Sequence, residues 1–136
     1  MREHLFALLI HHQSEPFESL RQTLRDLGVE TYSVDSCQAA ERIIPQCKPH
    51  IIFTESSLTD GSWLSIINIG ETSAVPLSVI VVGIAPDTRF YLSVMERGAF
   101  DFVVPPFEHE PLNFVIRSAA RETHRRREAL AHAFQA

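Results

Sequence analysis

Short apolar runs alternate with segments of helical periodicity along this chain of 136 residues. Five runs have the length of strands: residues 5–10, 29–34, the run ending at Glu55, 77–82 and 100–104. Most are predominantly apolar, which is typical of strands buried on both faces, whereas 29–34 alternates like an edge strand. Five strands that are each followed by a helix predict a parallel sheet covered by helices on both sides.

The segments between these runs carry signals for the starts and ends of helices. A first helix over 18–27 is expected to stop at Gly28, and Asp87 is a candidate cap for a helix that stops at Gly98. Ser36 is a candidate N-cap for a helix over 37–44, which Pro45 is expected to end. The remaining predicted helices run through residues 63–67 and from about 109 to the chain end.

Glu55 closes the third apolar run and is the first polar side chain after it. A loop that ends on Asp60 and Gly61 follows. Open parallel sheets place their functional sites at the carboxyl ends of their strands. Glu55 is therefore the first candidate for a site residue.

Four segments of the chain together resemble the receiver (CheY-like) domains of two-component response regulators. The segments are 8–10, 49–61, 79–82 and 96–107, and the last is similar to the family's Gly-Ala-x-Asp-aromatic and Lys-Pro-Phe signature. The resemblance covers about residues 4–120. It implies an α/β, flavodoxin-like (βα)5 doubly wound parallel sheet with strand order 2-1-3-4-5, followed here by an extended C-terminal helix.

The resemblance also implies a chemistry that this chain has altered. In the family, an aspartate after the third strand accepts a phosphoryl group from a histidine kinase, with help from a magnesium ion. Glu55 stands at that phosphoacceptor position. Its carboxylate lies one methylene, about 1.5 Å, further out, which disfavours a reaction that depends on positioning.

The other family positions are altered as well. The acidic pair that helps to hold magnesium falls on His11 and His12, although magnesium prefers oxygen ligands. The hydroxyl residue falls on Gly83, and the lysine that contacts the phosphoryl oxygens falls on Pro105. We therefore expect a pseudo-receiver that is not an enzyme, has no catalytic residues and has lost the family's magnesium cofactor.

Glu55 leaves several interpretations open. It could mimic the phosphorylated aspartate permanently, or it could be a polar residue that stayed at a strand end after the chemistry was lost. An atypical receiver that a histidine kinase still phosphorylates is a further alternative. A last alternative is a metal- or pH-responsive sensor built on His11, His12 and Glu55, although neighbours on an extended segment point to opposite faces.

Without phosphoryl transfer, the expected function is signalling by protein contact in phosphorelay signal transduction and transcription regulation. In the family, the fourth helix, fifth strand and fifth helix form a contact face that also supports homodimers. Phe102 takes the place of the family's switch aromatic, which turns inward when the phosphoryl group and the hydroxyl engage. The residues expected on this face are Arg89, Tyr91, Leu92, Met95, Glu96, Phe102 and Arg117.

Positive charge is concentrated towards the end of the chain. The cations are Arg117, Arg121, Arg125, Arg126 and Arg127. A solvated helix face is one interpretation. The other interpretation divides the chain into a receiver-like domain over 1–120 and an extension of the last helix over 121–136. This extension would link the domain to an output domain. Leu130 and Phe134 would allow at most a short coiled coil.

Composition narrows the remaining possibilities. A net charge of −5 argues against direct binding of nucleic acid. No membrane span and no signal peptide is apparent, so we expect a cytoplasmic location. Cys37 and Cys47 match no zinc or redox spacing and are expected to be free thiols.

Overall fold

The computed structural model describes residues 4–134 and shows an α/β domain in which strands and helices alternate. Its elements are β1 (Leu5–Ile10), α1 (Phe17–Asp26), β2 (Val29–Val34), α2 (Cys37–Cys47), β3 (Ile51–Glu55), β4 (Ser57–Leu58), β5 (Gly61–Ser62), α3 (Trp63–Glu71), β6 (Ser78–Val82), α4 (Thr88–Glu96), β7 (Asp101–Val103) and α5 (His109–Ala133).

The main sheet has five strands in the order β2-β1-β3-β6-β7, and every neighbouring pair is parallel. This confirms the predicted flavodoxin-like order 2-1-3-4-5. The central strands β3 and β6 are buried almost throughout, whereas in the edge strand β2 only Val29 is buried. In the sheet register, Glu55 at the end of β3 lies opposite Val82 at the end of β6.

Two apolar cores cover the two faces of the sheet. One contains Phe17 and Leu20 of α1 together with Leu112 and Ile116 of α5. The other gathers side chains of α2, α3 and α4, including Ile44, Ile66 and Val94. Both faces of the sheet are therefore covered by apolar side chains.

Two local predictions differ from the structure. Helix α2 continues through Pro45 to Cys47 and ends at Lys48, which adopts a left-handed conformation with φ of 47°. The prediction that Pro45 ends the helix is therefore wrong. Pro45 lies in the last turn, where the helix loses only the hydrogen bond from residue 45 to the carbonyl of Glu41. The hairpin formed by β4 and β5 was not predicted, since two-residue strands carry no periodicity.

Helix α5 packs against the sheet beyond residue 120. Thr123 is fully buried, and its Oγ1 donates a hydrogen bond of 2.9 Å to the carbonyl of His50. The same Oγ1 lies 2.8 Å from Ser78 Oγ. The contacts of the domain therefore reach into the segment that the sequence assigns to an extension. Within residues 4–134, none of the helices combines the length and apolar character needed to cross a membrane.

Candidate functional site

The carboxyl ends of the sheet strands bring the residues singled out in the sequence to one edge. His11 and His12 follow β1, Glu55 ends β3, and Gly83 follows β6. Pro105 lies two residues beyond β7. The parallel topology thus brings the strand ends that carry these residues to the same edge of the sheet.

Glu55 is bound by His12 through two contacts. Its Oε1 accepts a hydrogen bond of 2.9 Å from the backbone N–H of His12 and lies 2.8 Å from Nδ1 of the same residue. The Glu55 side chain is 15% exposed and the His12 side chain 34%. One oxygen of the carboxylate is therefore engaged by the loop after β1.

His11 turns away from this pair, as expected for neighbours on an extended segment. Its ring stacks on Phe17 with 4.2 Å between centroids and an angle of 7°. Its Nδ1 lies 2.6 Å from the carbonyl of Gln13, and its Nε2 lies 3.5 Å from Arg21 Nη2. His11 thus contacts α1 and the loop between β1 and α1.

The donor set around Glu55 does not fit magnesium. The ion requires about six ligands, mostly oxygen, and the residue that contacts Glu55 from the loop after β1 is His12, whose side chain is an imidazole. Among residues 4–134, no group of three or more His, Cys, Asp or Glu side chains is arranged to hold a metal ion. His12 and Glu55 come together, whereas His11 does not join them.

Gly83 and Phe102 are in direct contact. A methyl group built on Gly83 would lie 2.5 Å from Cζ of Phe102 and 3.3 Å from Cγ1 of Val104. Gly83 also donates its backbone N–H to the carbonyl of Val103 at 2.9 Å. The aromatic ring therefore fills the space in which a side chain at position 83 would stand.

A chain of aromatic rings runs from this contact to α3 and α4. Phe102 packs edge-on against Phe90, with 5.3 Å between centroids, and Phe90 packs edge-on against Trp63 at 5.6 Å. Tyr91 approaches Phe102 from α4 at 6.4 Å. These contacts hold the Phe102 ring between β7 and α4.

Pro105 is joined to Pro106 by a cis peptide bond. Proline offers no positive charge and no backbone donor at this position. The loop that follows is attached to α1, because Thr23 Oγ1 donates a buried hydrogen bond of 2.9 Å to the carbonyl of Phe107.

Asp60 has a structural role that the sequence did not reveal. Its two carboxylate oxygens accept the backbone N–H groups of Cys37 and Gln38, at 2.8 and 2.9 Å. These bonds lower the pKa of Asp60. The loop after Glu55 is thereby fixed to the start of α2. Ser36 caps this helix as predicted, because its Oγ accepts the backbone N–H of Ala39. The Asp-Gly pair was the only local signal.

The face around α4 and β7 exposes apolar side chains. Tyr91 and Leu92 on α4 are 40% and 53% exposed, and Ile84 on the preceding loop is 81% exposed. Arg117, which the sequence assigns to this face, instead donates to the carbonyl of Leu27 at the end of α1. Phe114 on α5 is 73% exposed and was not singled out in the sequence.

Known proteins similar to this chain are bacterial regulators. The chain is 29% identical over 104 residues to the virulence transcriptional regulatory protein PhoP of Salmonella typhimurium, a match that covers 76% of this chain and 43% of the relative. The chain thus spans less than half the length of the relatives it matches. No family model matches the chain.

Solved structures give the fold independently. The signal receiver domain of an HD domain-containing protein from Pseudomonas fluorescens has a TM-score of 0.78 at 16% identity, with 94% of this chain and 95% of that chain covered. A response regulator receiver domain protein from Clostridium thermocellum has a TM-score of 0.74 at 20% identity, with coverages of 88% and 97%. The chain therefore has the fold of these receiver domains.

Proposed function

We propose that this domain is a signalling module of the response-regulator type that acts through protein contacts, without phosphorylation at Glu55. The observation that carries this proposal is the contact between Glu55 and His12. The carboxylate is engaged by a backbone N–H at 2.9 Å and an imidazole nitrogen at 2.8 Å. Both partners contact the same carboxylate oxygen, Oε1, and both are nitrogen groups, whereas magnesium requires oxygen ligands.

The other altered positions support the same conclusion. Phosphoryl transfer depends on a positioned nucleophile, a metal ion and positive charge on the transferring oxygens. Here the nucleophile position carries a longer side chain, and the lysine position carries Pro105. Because the parts act together, the loss of several of them disfavours the reaction far more than the loss of one.

The contact between Gly83 and Phe102 supports a module held in one conformational state. The ring already occupies the space beside Gly83, and Phe90 and Tyr91 pack against it. Gly83 has no hydroxyl group through which a signal at Glu55 could move the ring. We therefore propose that α4 and β7 present a constant surface to a partner.

Tyr91 and Leu92 are the proposed centre of that contact surface. Both are large, exposed side chains on α4, and Tyr91 also touches Phe102. The partner is another protein or a second copy of this chain. Similarity to a transcriptional regulatory protein supports transcription regulation as the output of this signalling module.

Two measurements test this function. Calorimetric titration with magnesium chloride is expected to show no saturable heat in the millimolar range, and a saturating binding curve would contradict the proposed loss of the metal. Sedimentation of Leu92→Ala and Tyr91→Ala tests the surface. We expect weaker self-association or weaker partner capture than in the control Arg121→Ala, which alters an exposed residue of α5. Equal association in all variants would exclude α4 as the contact surface.

A further inference from the structure

Three consecutive arginines in α5 make different contacts although their sequence context is almost the same. Arg125 is 66% exposed and binds the carboxylate of Glu122, one helical turn before it. Arg126, which also pairs with Glu122, and Arg127 reach across to backbone carbonyls just before the start of β6. Arg125 therefore forms a surface ion pair, whereas Arg126 and Arg127 attach α5 to another part of the domain.

Arg127 binds two loops at once. Its Nε donates to the carbonyl of Pro76 at 2.8 Å, and its Nη2 donates to the carbonyls of Pro49 at 2.8 Å and Lys48 at 3.2 Å. Residues 48–49 lead into β3, and residue 76 leads into β6. One guanidinium therefore joins the entrances of two central strands to α5.

Arg126 adds a second attachment beside the first. Its Nη2 donates to the carbonyl of Leu77 at 2.6 Å and to Ser78 Oγ at 3.2 Å, and its Nε lies 3.3 Å from Glu122 Oε2. Ser78 Oγ is also within 2.8 Å of Thr123 Oγ1. Hydrogen bonds from a charged donor are about twice as strong as neutral ones, and the planar guanidinium spreads five donors over a rigid fork, whereas a lysine ammonium carries three donors on one atom.

We propose that Arg126 and Arg127 form a clamp that fixes the last turns of α5 to the sheet and sets the direction in which the helix leaves the domain. Because positions three and four residues apart share a helix face, Leu130 lies on the clamped side, one turn further on. Phe134 follows after another turn and is 83% exposed. The clamp thus presents these two apolar side chains at a defined position beyond the sheet.

The clamp also lies on the same strand as the candidate site. Ser78 is the first residue of β6 and Leu77 precedes it, whereas Gly83 follows the last residue of the strand. Five strand residues span about 16 Å. Strand β6 therefore connects the contact between Gly83 and Phe102 with the place where α5 leaves the sheet. The folded domain, and not a flexible linker, thus sets the direction of the helix.

Hydrogen exchange read by mass spectrometry tests the clamp on the full chain, with Arg125→Ala as the matched control. In the double variant Arg126→Ala, Arg127→Ala, amides of residues 124–133 should exchange at least about ten-fold faster than in the wild type. Arg125→Ala should leave them within about two-fold of the wild type. Alanine favours helix, so faster exchange in the double variant reflects lost attachment and not lost helix propensity.

Amides of β1 and β3 serve as the internal reference for an intact fold. If they also exchange faster, Arg127→Lys decides the question, since it keeps the charge but cannot bridge Pro49 and Pro76. Selective acceleration of residues 124–133 in that variant supports the clamp. Exchange at residues 124–133 that is the same in the clamp variants and in Arg125→Ala would overturn it.

Discussion

The ring of Phe102 occupies the side-chain space of Gly83, so that a methyl group on Gly83 would lie 2.5 Å from Cζ of Phe102. Real side chains do not tolerate so short a separation, and Phe90 and Tyr91 limit the movement of the ring. The position of the Phe102 ring therefore depends on the absence of a side chain at Gly83.

Substitution of Gly83 by alanine is expected to displace Phe102 and lower the free energy of unfolding by about 1–3 kcal/mol, the usual cost of overpacking. The displacement should also reach Trp63 through Phe90, because the three rings are in contact. Urea denaturation measures the stability, and the fluorescence of Trp63, the single tryptophan of the chain, reports the rings.

The background Phe102→Ala is the control for this prediction. With the ring removed, Gly83→Ala should cost less than about 0.5 kcal/mol, since Val104 at 3.3 Å is the remaining close neighbour. An equal cost in both backgrounds would show that the glycine is required for another reason.

Substitution of Glu55 by glutamine distinguishes a phosphorylation mimic from a residual polar residue. The carboxylate contacts His12, and the lysine and hydroxyl positions carry Pro105 and Gly83. We therefore expect Glu55→Gln to leave the self-association constant unchanged in analytical ultracentrifugation. It should also cost less than about 1 kcal/mol of stability, because His12 is partly exposed. A several-fold change in association would favour the mimic.

Asp60 should make the stability of the domain sensitive to acid. Its pKa is lowered below the ordinary value of 3.8 by the N–H groups of Cys37 and Gln38. A lowered carboxyl pKa contributes stability above pH 3.8, and that contribution is lost as the pH falls through the pKa of the folded state. Asp60→Asn should therefore melt at a lower temperature than the wild type at pH 7.

The difference between Asp60→Asn and the wild type should shrink as the pH is lowered below 3.8. Thermal melts at a series of pH values measure this difference. A gap that stays constant through the acid range would assign the stabilisation to packing and not to the charged carboxylate.

Asp101 should have the opposite effect. Burial raises its pKa above 3.8, while its Oδ1 accepts the backbone N–H of Phe102 at 2.7 Å. A raised carboxyl pKa favours the folded state at low pH, and this advantage is lost as the pH rises through the folded-state pKa. Asp101→Asn retains an acceptor oxygen and should be more stable than the wild type at pH 7, with the gain disappearing in acid melts. A variant less stable than the wild type at pH 7 would contradict this.

The elements and their order were predictable because each depends on local pattern. Apolar runs, caps at Ser36 and Asp87, and the glycine stops are read from a few neighbouring residues. The parallel sheet then brings the strand ends together. This is why the position of Glu55 could be predicted before its contacts were known.

Contacts between distant segments were not predictable in the same way. The bonds of Asp60 to the start of α2 and of Arg127 to two strand entrances depend on how the loops approach in three dimensions. Local pattern also misjudged Pro45, since the cost of a proline depends on its position in the helix. The turn of His12 towards Glu55 required the path of the loop after β1.

Intact-mass spectrometry after incubation with a small phosphodonor and magnesium tests the absence of phosphoryl transfer most directly. Both the wild type and Glu55→Asp should be measured, because the second variant restores the shorter side chain but leaves Pro105, Gly83 and His12 in place. We predict that neither protein gains the mass of a phosphoryl group. A labile gain of one phosphoryl group on the wild type would contradict the proposed function, and a gain on Glu55→Asp alone would show that position 55 is the only barrier.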